Sequence, residues 1–418
     1  MKRKLGALAT SVALAATVLA GCGSSNANDP NTITFWTPLT GEDGAYMDNL
    51  VKQYNDTDPA VKVKHVVTAD MYTKVSTVLS SGKGIPDLTI IHADRVPGYV
   101  KQNRLESMDA VMQAQPELKE DNFLPQAWGA GNIDGTQYAI PLDIHSNVMY
   151  YNKELVSKYG ADSFLEDDNV TIDEMLSLEG KLDEGHYVVN DALIGWVILG
   201  QIQNLGGDIQ KDGQPDLNTD VMKQAILDVK KLNDAGLMTP FGEDGYLMFQ
   251  GGNVLFSTDG TWSSTAHATV ENLDFGVTNV YSASPDKFTN RASSHMLAMF
   301  NNEQRTDEKE QGIAAFLEFL RSNSVEWAKA GQIPASKDVV ESPEYQQYMQ
   351  SFFTSTEKET ESLYIYDYEY YSYVAEAVDK YAIDLIRGNI DIDEGLQAMQ
   401  QEVADKIGQA SGGAAAGE

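Results

Sequence analysis

Cysteine is nearly absent from this chain: Cys22 is the only one among 418 residues, so no disulfide can form within it. Basic residues are scarce as well, with 30 Lys and Arg against 62 Asp and Glu and a formal net charge of −32. Such a surface repels nucleic acid and anionic lipid, although a local Arg pocket can still take an anionic small ligand. No apolar run reaches the roughly 20 residues that a membrane-spanning helix needs. The familiar catalytic signatures are missing: there is no H-E-x-x-H, no G-x-S-x-G and no G-x-x-x-x-G-K-[ST], and Gly82-Lys83-Gly84 lacks the spacing that cradles phosphate. Six scattered histidines show no metal-ligand spacing, and Asp167, Asn169 and Thr171 lack the Gly that an EF-hand loop requires, so neither a metal nor a cofactor is expected.

What is present begins with an address. Lys2, Arg3 and Lys4 precede a small and apolar run from Leu5 to Ala20 that contains Thr10, Ser11 and Thr17, and residues 1–21 read as a signal peptide. The run ends in Leu19-Ala20-Gly21-Cys22, which resembles a lipobox. That resemblance implies cleavage before Cys22, acylation of its thiol with palmitate among the fatty chains, and anchoring on the outer leaflet of the cell membrane. The competing reading is a stray cysteine in an ordinary signal peptide. Residues 23–30 are small and polar, so 22–30 form a lipidated Cys and flexible linker, and 411–418 a flexible tail.

The roughly 380 residues between these ends exceed the 250 to 300 or so at which a single core stops growing, so two lobes are expected. Strand-like and helix-like runs alternate from Ile33 onward, the pattern of α/β layering. Ile33 and Phe35 oppose Thr34 and Trp36 at period two, Met47, Leu50, Val51 and Tyr54 share one helical face, and Val61, Val63, His65 and Val67 return to period two. Tyr72, Val75, Val78 and Leu79 predict a helix closed by Gly82 and Gly84, followed by a strand at Leu88, Ile90 and Ile91. Further helices are expected at Met222 to Val229, Ile313 to Leu320 and Val374 to Leu385, with Asp391 and Glu394 opening the last one.

Several short motifs occur in order. They are Pro86-Asp87-Leu88 leading to Ala93-Asp94-Arg95 and Gly98-Tyr99, then Asp134-Gly135, Tyr138-Ala139-Ile140-Pro141 and Tyr151-Asn152-Lys153. Asn204 to Asp208, Phe249 to Gly252, Gly260-Thr261-Trp262 and Gly331 to Ala335 follow. Together they resemble the extracellular solute-binding proteins of bacterial ABC importers, in the group that includes oligosaccharide-binding lipoproteins. The resemblance implies an α/β, two-lobed periplasmic-binding-protein fold with three interlobe crossings and a ligand cleft. We place the crossings near Leu142 to His145, Val277 to Tyr281 and Ile333 to Lys337. Lobe one then combines 31–142 with 281–334, and lobe two 143–280 with 335–410. It also implies a carbohydrate ligand and a permease with its ATPase on separate chains, while the binder itself is a monomer and not an enzyme.

A pyranose offers apolar C–H faces and a rim of hydroxyls, so a binder needs flat aromatic platforms and a few polar groups. Trp36 follows the first strand, where open α/β sheets place ligands. Trp196 and Trp262 match stacking positions that the resemblance implies, whereas Trp327 reads as core and Trp128 as unremarkable. Asp94 and Arg95 match family residues that bond sugar hydroxyls, although Arg95 also suits a structural ion pair. Asp143 and His145 fall at the first crossing, with one of the two expected to face the cleft. His92, Asn204 and His295 are further candidates, and of the six tyrosines between Tyr364 and Tyr373, either Tyr370 or Tyr371. Other readings remain open: the same fold binding a phosphate ester through Arg95 and Arg291, a polyamine or a metal chelate, or a lipid-anchored glycosidase with two carboxylates.

Overall fold

The structure, a computed structural model, describes residues 31–414. The expected signal peptide, Cys22 and its linker lie outside the described residues, as do 415–418. Two sheets organise the rest. The first has the order Lys62–Val67, Thr32–Thr37, Leu88–His92, His295–Ala298, Ala139–Pro141. Its first three strands are parallel, in register from Thr32 opposite Lys62 to Thr37 opposite Val67, and His295–Ala298 runs antiparallel to both of its neighbours.

The period-two reading of the first strand holds because Ile33 and Phe35 are fully buried. Phe35 meets Phe316 edge-on at 5.6 Å, and Phe316 also packs on Tyr54, so helices Glu42–Asp56 and Asp307–Ser322 cover one face of the sheet. The helix over Tyr72 to Leu79 is Met71–Ser81, ended by Gly82 in the left-handed region, as the Gly signal predicts. Pro86-Asp87-Leu88 is a structural motif. Asp87 accepts hydrogen bonds from the backbone N–H and hydroxyl of Thr34 and pairs at 2.9 Å with the buried Lys309 ammonium, tying strand to helix.

The second sheet is built around the long strand Asp143–Asn152, buried at every position but Tyr151. Val254–Gly260, Phe275–Thr278, Asn290–Ser293 and Ile333–Pro334 all pair with it, and Tyr187–Val189 and Leu363–Ile365 flank this group. Helices Ile194–Asn204, Asp220–Asp234, Tyr371–Arg387 and Ile392–Ala414 form a second core against it. The last helix runs to Ala414, so residues 411–414 continue it and do not begin a flexible tail.

The chain passes from the first sheet to the second at Leu142, between Ala139–Pro141 and Asp143–Asn152. The return corrects the expected boundary. Residues 281–293 stay with the second sheet, where Ser282 exchanges backbone hydrogen bonds with Val170 and Ile172, and the chain crosses back only at Ser294. Val277 to Tyr281 therefore does not connect the lobes. Its strand-like pattern is that of Phe275–Thr278, which pairs along the long strand. At the third passage, Ile333–Pro334 pairs with Ile144 and Asp143 while Ala335 accepts from the Leu124 backbone N–H. Among the described residues no helix is long and apolar enough to cross a membrane.

Candidate functional site

A cleft of about 610 Å³ lies between the two sheets. Three imidazoles line its floor. His92 ends its strand and is the antiparallel partner of His295, while His145 sits on the long strand opposite Ser293. Strand register brings them together across large sequence separations. The ring centroids are 5.2 Å apart for His92 and His295, 5.7 Å for His92 and His145, and 4.4 Å for His145 and His295. The histidines show no metal-ligand spacing in the sequence, yet the fold brings one ligating atom of each of these three within 4.8 Å of the others.

Behind them Asp143 is fully buried and fully used. Its Oδ1 accepts from the His295 backbone N–H at 3.0 Å and His145 Nδ1 at 3.3 Å, and its Oδ2 from His295 Nδ1 at 2.7 Å and Trp327 Nε1 at 2.6 Å. Burial alone would raise the carboxyl's pKa, but His295 and the hydrogen bonds from both imidazoles outweigh it and hold the group ionised. Burial pushes His145 down to about 4, reinforced by the charge on His295. His92 is lowered for the same reasons. Burial also opposes charge on His295, yet the adjoining Asp143 carboxylate prevails and raises it.

The cleft wall is aromatic. Trp262, in the turn Thr261–Ser263, is 37% exposed and stands edge-on to Trp196 at 6.0 Å and to His145 at 6.1 Å. The Arg291 guanidinium lies 3.6 Å over the Trp196 ring, and its Nε donates to Tyr371 Oη at 2.6 Å. The Ser293 hydroxyl on the same wall is buried without a protein partner. Glu42, Asp43 and Gln332 add polar atoms around the mouth.

Of the twelve residues singled out from the sequence, His92, Asp94, His145, Trp196, Trp262 and His295 line this cleft. The other six do not. Trp36 packs against the apolar cluster that includes Met71, Val75 and Val96, because its strand continues to Thr37 and keeps the indole within the sheet, on the face opposite Ile33 and Phe35. Pro38 to Asp43, the segment that follows, reaches the cleft in its place. Arg95 forms ion pairs with Asp94 and Glu376. Asp143 stands behind the histidines, so of that pair it is His145 that faces the cleft. Asn204 is buried at the end of its helix with its amide atoms unpaired. Tyr370 meets Lys101 and Tyr373, and Tyr371 stacks on Tyr366 at 4.8 Å beneath Arg291, so the tyrosine cluster is lobe packing. Glu42, Asp43, Tyr246 and Gln332 were not anticipated. Glu42, Asp43 and Tyr246 sit in the first turns of their helices and Gln332 just before a short strand, positions that apolar periodicity does not mark, and only the three-dimensional arrangement singles them out.

A family model described as bacterial extracellular solute-binding protein matches residues 49–354. Arabinooligosaccharide-binding proteins of Halalkalibacterium halodurans and Bacillus subtilis are 28% and 24% identical over 134 and 242 residues, or 31% and 55% of this chain. These alignments span 29% and 54% of the two relatives, so the chain covers about half of their length or less. The sn-glycerol-3-phosphate-binding periplasmic protein UgpB of Shigella flexneri is 22% identical over 335 residues, 75% of this chain and 76% of the relative. Among solved structures, the GacH receptor of Streptomyces glaucescens, determined unliganded and with acarbose, superposes with a TM-score of 0.75 at 18% identity. That match covers 91% of this chain and 98% of the receptor and is a likeness of fold.

Proposed function

The chain belongs to the bacterial extracellular solute-binding protein family, and on that premise we propose that it captures an extracellular oligosaccharide in its cleft and releases it, unaltered, to an ABC permease. In this reading Cys22 carries the lipid that keeps a monomeric receptor on the outer face of the membrane, and the ATPase resides on other chains. The observation that carries the proposal is the wall formed by Trp262 and Trp196. Two indoles nearly at right angles, 77° apart, offer apolar surface to pyranose rings, Trp262 as the exposed platform and Trp196 with one face covered by Arg291. Around them the Ser293 hydroxyl, Gln332, Asp94 and the guanidinium of Arg291 supply both donors and acceptors for a hydroxyl rim.

A phosphate ester is the second reading, favoured by the Arg291 guanidinium in the cleft and by the alignment with the glycerol-3-phosphate binder. Glu42, Asp43 and Asp94 line the same cleft, so its acidic groups outnumber its cations, and a neutral polyol fits better than a dianion. Isothermal titration of the full-length chain in detergent with arabino- and malto-oligosaccharides and with glycerol 3-phosphate separates the two. Saturable binding of a carbohydrate alone supports the proposal, and binding of the phosphate ester alone refutes it. Turnover of the bound sugar would refute the absence of chemistry.

A further inference from the structure

The floor of the cleft carries a donor set that sugar recognition does not require. Nδ1 of each of its three imidazoles has a protein partner: Tyr72 Oη at 2.5 Å for His92, Asp143 Oδ1 for His145 and Asp143 Oδ2 for His295. Nε2 is left as the ring nitrogen that each can present to the cleft. A carboxylate or phenol oxygen behind Nδ1 is the arrangement that fixes the tautomer and raises the basicity of a metal-bound imidazole. Tyr72 Oη also accepts from the His92 backbone N–H, so its position is set from two directions.

We propose that His92, His145 and His295 bind one divalent transition-metal ion of the zinc class, each through Nε2. Three neutral nitrogens suit zinc, nickel or copper and not calcium or magnesium, which take oxygen ligands. Metal–nitrogen bonds of about 2.1 Å in tetrahedral geometry set the nitrogens roughly 3.4 Å apart. One ring nitrogen of each imidazole already lies within 4.8 Å of the others, and rotation of the rings, whose backbones the strand pairings hold, brings the Nε2 atoms to that spacing. Asp143 stays behind the ligands, because its oxygens already accept four hydrogen bonds. Three protein ligands leave a fourth position open toward the cleft for a hydroxyl or other oxygen of the bound solute. Arg291 is held aside by Trp196 and Tyr371. His92 and His295 belong to the first sheet and His145 to the second, so the ion joins the two lobes at the base of the cleft.

The proposal shares the cleft with the carbohydrate reading but does not need the ligand to be a sugar. The test titrates zinc chloride into the chelator-stripped full-length chain without sugar, and measures sugar binding separately in the presence of chelator, so either can fail alone. One saturable zinc ion per chain is expected, with affinity reduced at least about tenfold in His145→Gln or His295→Gln and unchanged in His186→Gln. No saturable binding by about 100 μM, or an unchanged single site in the triple His92→Gln, His145→Gln, His295→Gln variant, overturns the proposal. Should the variants fail to fold, cobalt(II) on the unaltered chain decides the question. An intense visible spectrum of a four-coordinate nitrogen site supports the proposal, and a weak six-coordinate spectrum contradicts it.

Discussion

A Cβ on Gly260 would stand 2.1 Å from the Trp262 indole, closer than any real contact. Gly260→Ala must therefore push the platform out of place, at a cost of about 1–3 kcal/mol in stability or an equivalent loss of ligand affinity. Trp262→Ala removes the platform itself. We expect it to weaken carbohydrate binding by at least about tenfold, roughly 1.4 kcal/mol, with little change in melting temperature because the ring is partly exposed. His267 offers a pH test away from the cleft floor. Burial among Tyr150, Tyr246, Phe249 and Phe275 lowers its pKa to about 4. The unfolded imidazole takes up a proton near pH 6.5 while the folded one does not, so this contribution to stability is complete above about pH 6.5 and is lost as pH falls toward 4. His267→Asn should flatten the loss of thermal stability between pH 6.5 and 4. An unchanged slope would show that His267 does not drive it.

At the scale of elements, much was legible because local periodicity reports burial directly. Met222, Ala225, Ile226 and Val229 share one helical face and are all buried in Asp220–Asp234. Leu88, Ile90 and Ile91 likewise form a buried strand. The illegible parts depend on partners distant in sequence. Nothing local distinguishes Asn290–Ser293 from His295–Ala298, yet the first pairs with the long strand and the second with Leu88–His92, so the crossing at Ser294 is a fact of topology. The cleft histidines were named singly and their convergence was not, since it follows from that same register. Trp36 misled because the strand runs on past it to Thr37, so the indole lies within the sheet, on the face opposite Ile33 and Phe35, and not at its edge. Asp87 and Lys309 give the element-scale prediction. Lys309→Met leaves a buried carboxylate without its cation and should destabilise the chain by about 3–5 kcal/mol. Replacing both with apolar residues should cost less, and chemical denaturation of the single and double variants measures the difference.

Across the whole molecule, the lobes touch at the rim as well as through the crossings. Arg95 pairs with Glu376 at 3.2 Å, and Lys101 reaches Glu369 at 2.8 Å and Tyr370 Oη at 2.6 Å, in each case from the first lobe to the second. These side chains are partly exposed, so each pair contributes no more than about 1 kcal/mol and weakens with salt. A latch of that strength biases an open–closed equilibrium without locking it, and a solute that touches both lobes supplies the remainder. The combined Arg95→Ala, Lys101→Ala variant should have a larger radius of gyration without ligand and regain the compact form with it. Small-angle scattering measures both states. The central claim is capture of a carbohydrate between the lobes. Titration of the full-length chain with oligosaccharides, followed by tryptophan fluorescence, tests it most directly. One saturable site that perturbs the emission and is lost in Trp262→Ala is the expected result. Absence of any response to carbohydrates, with a saturable response to a phosphate ester or an amine, would contradict it.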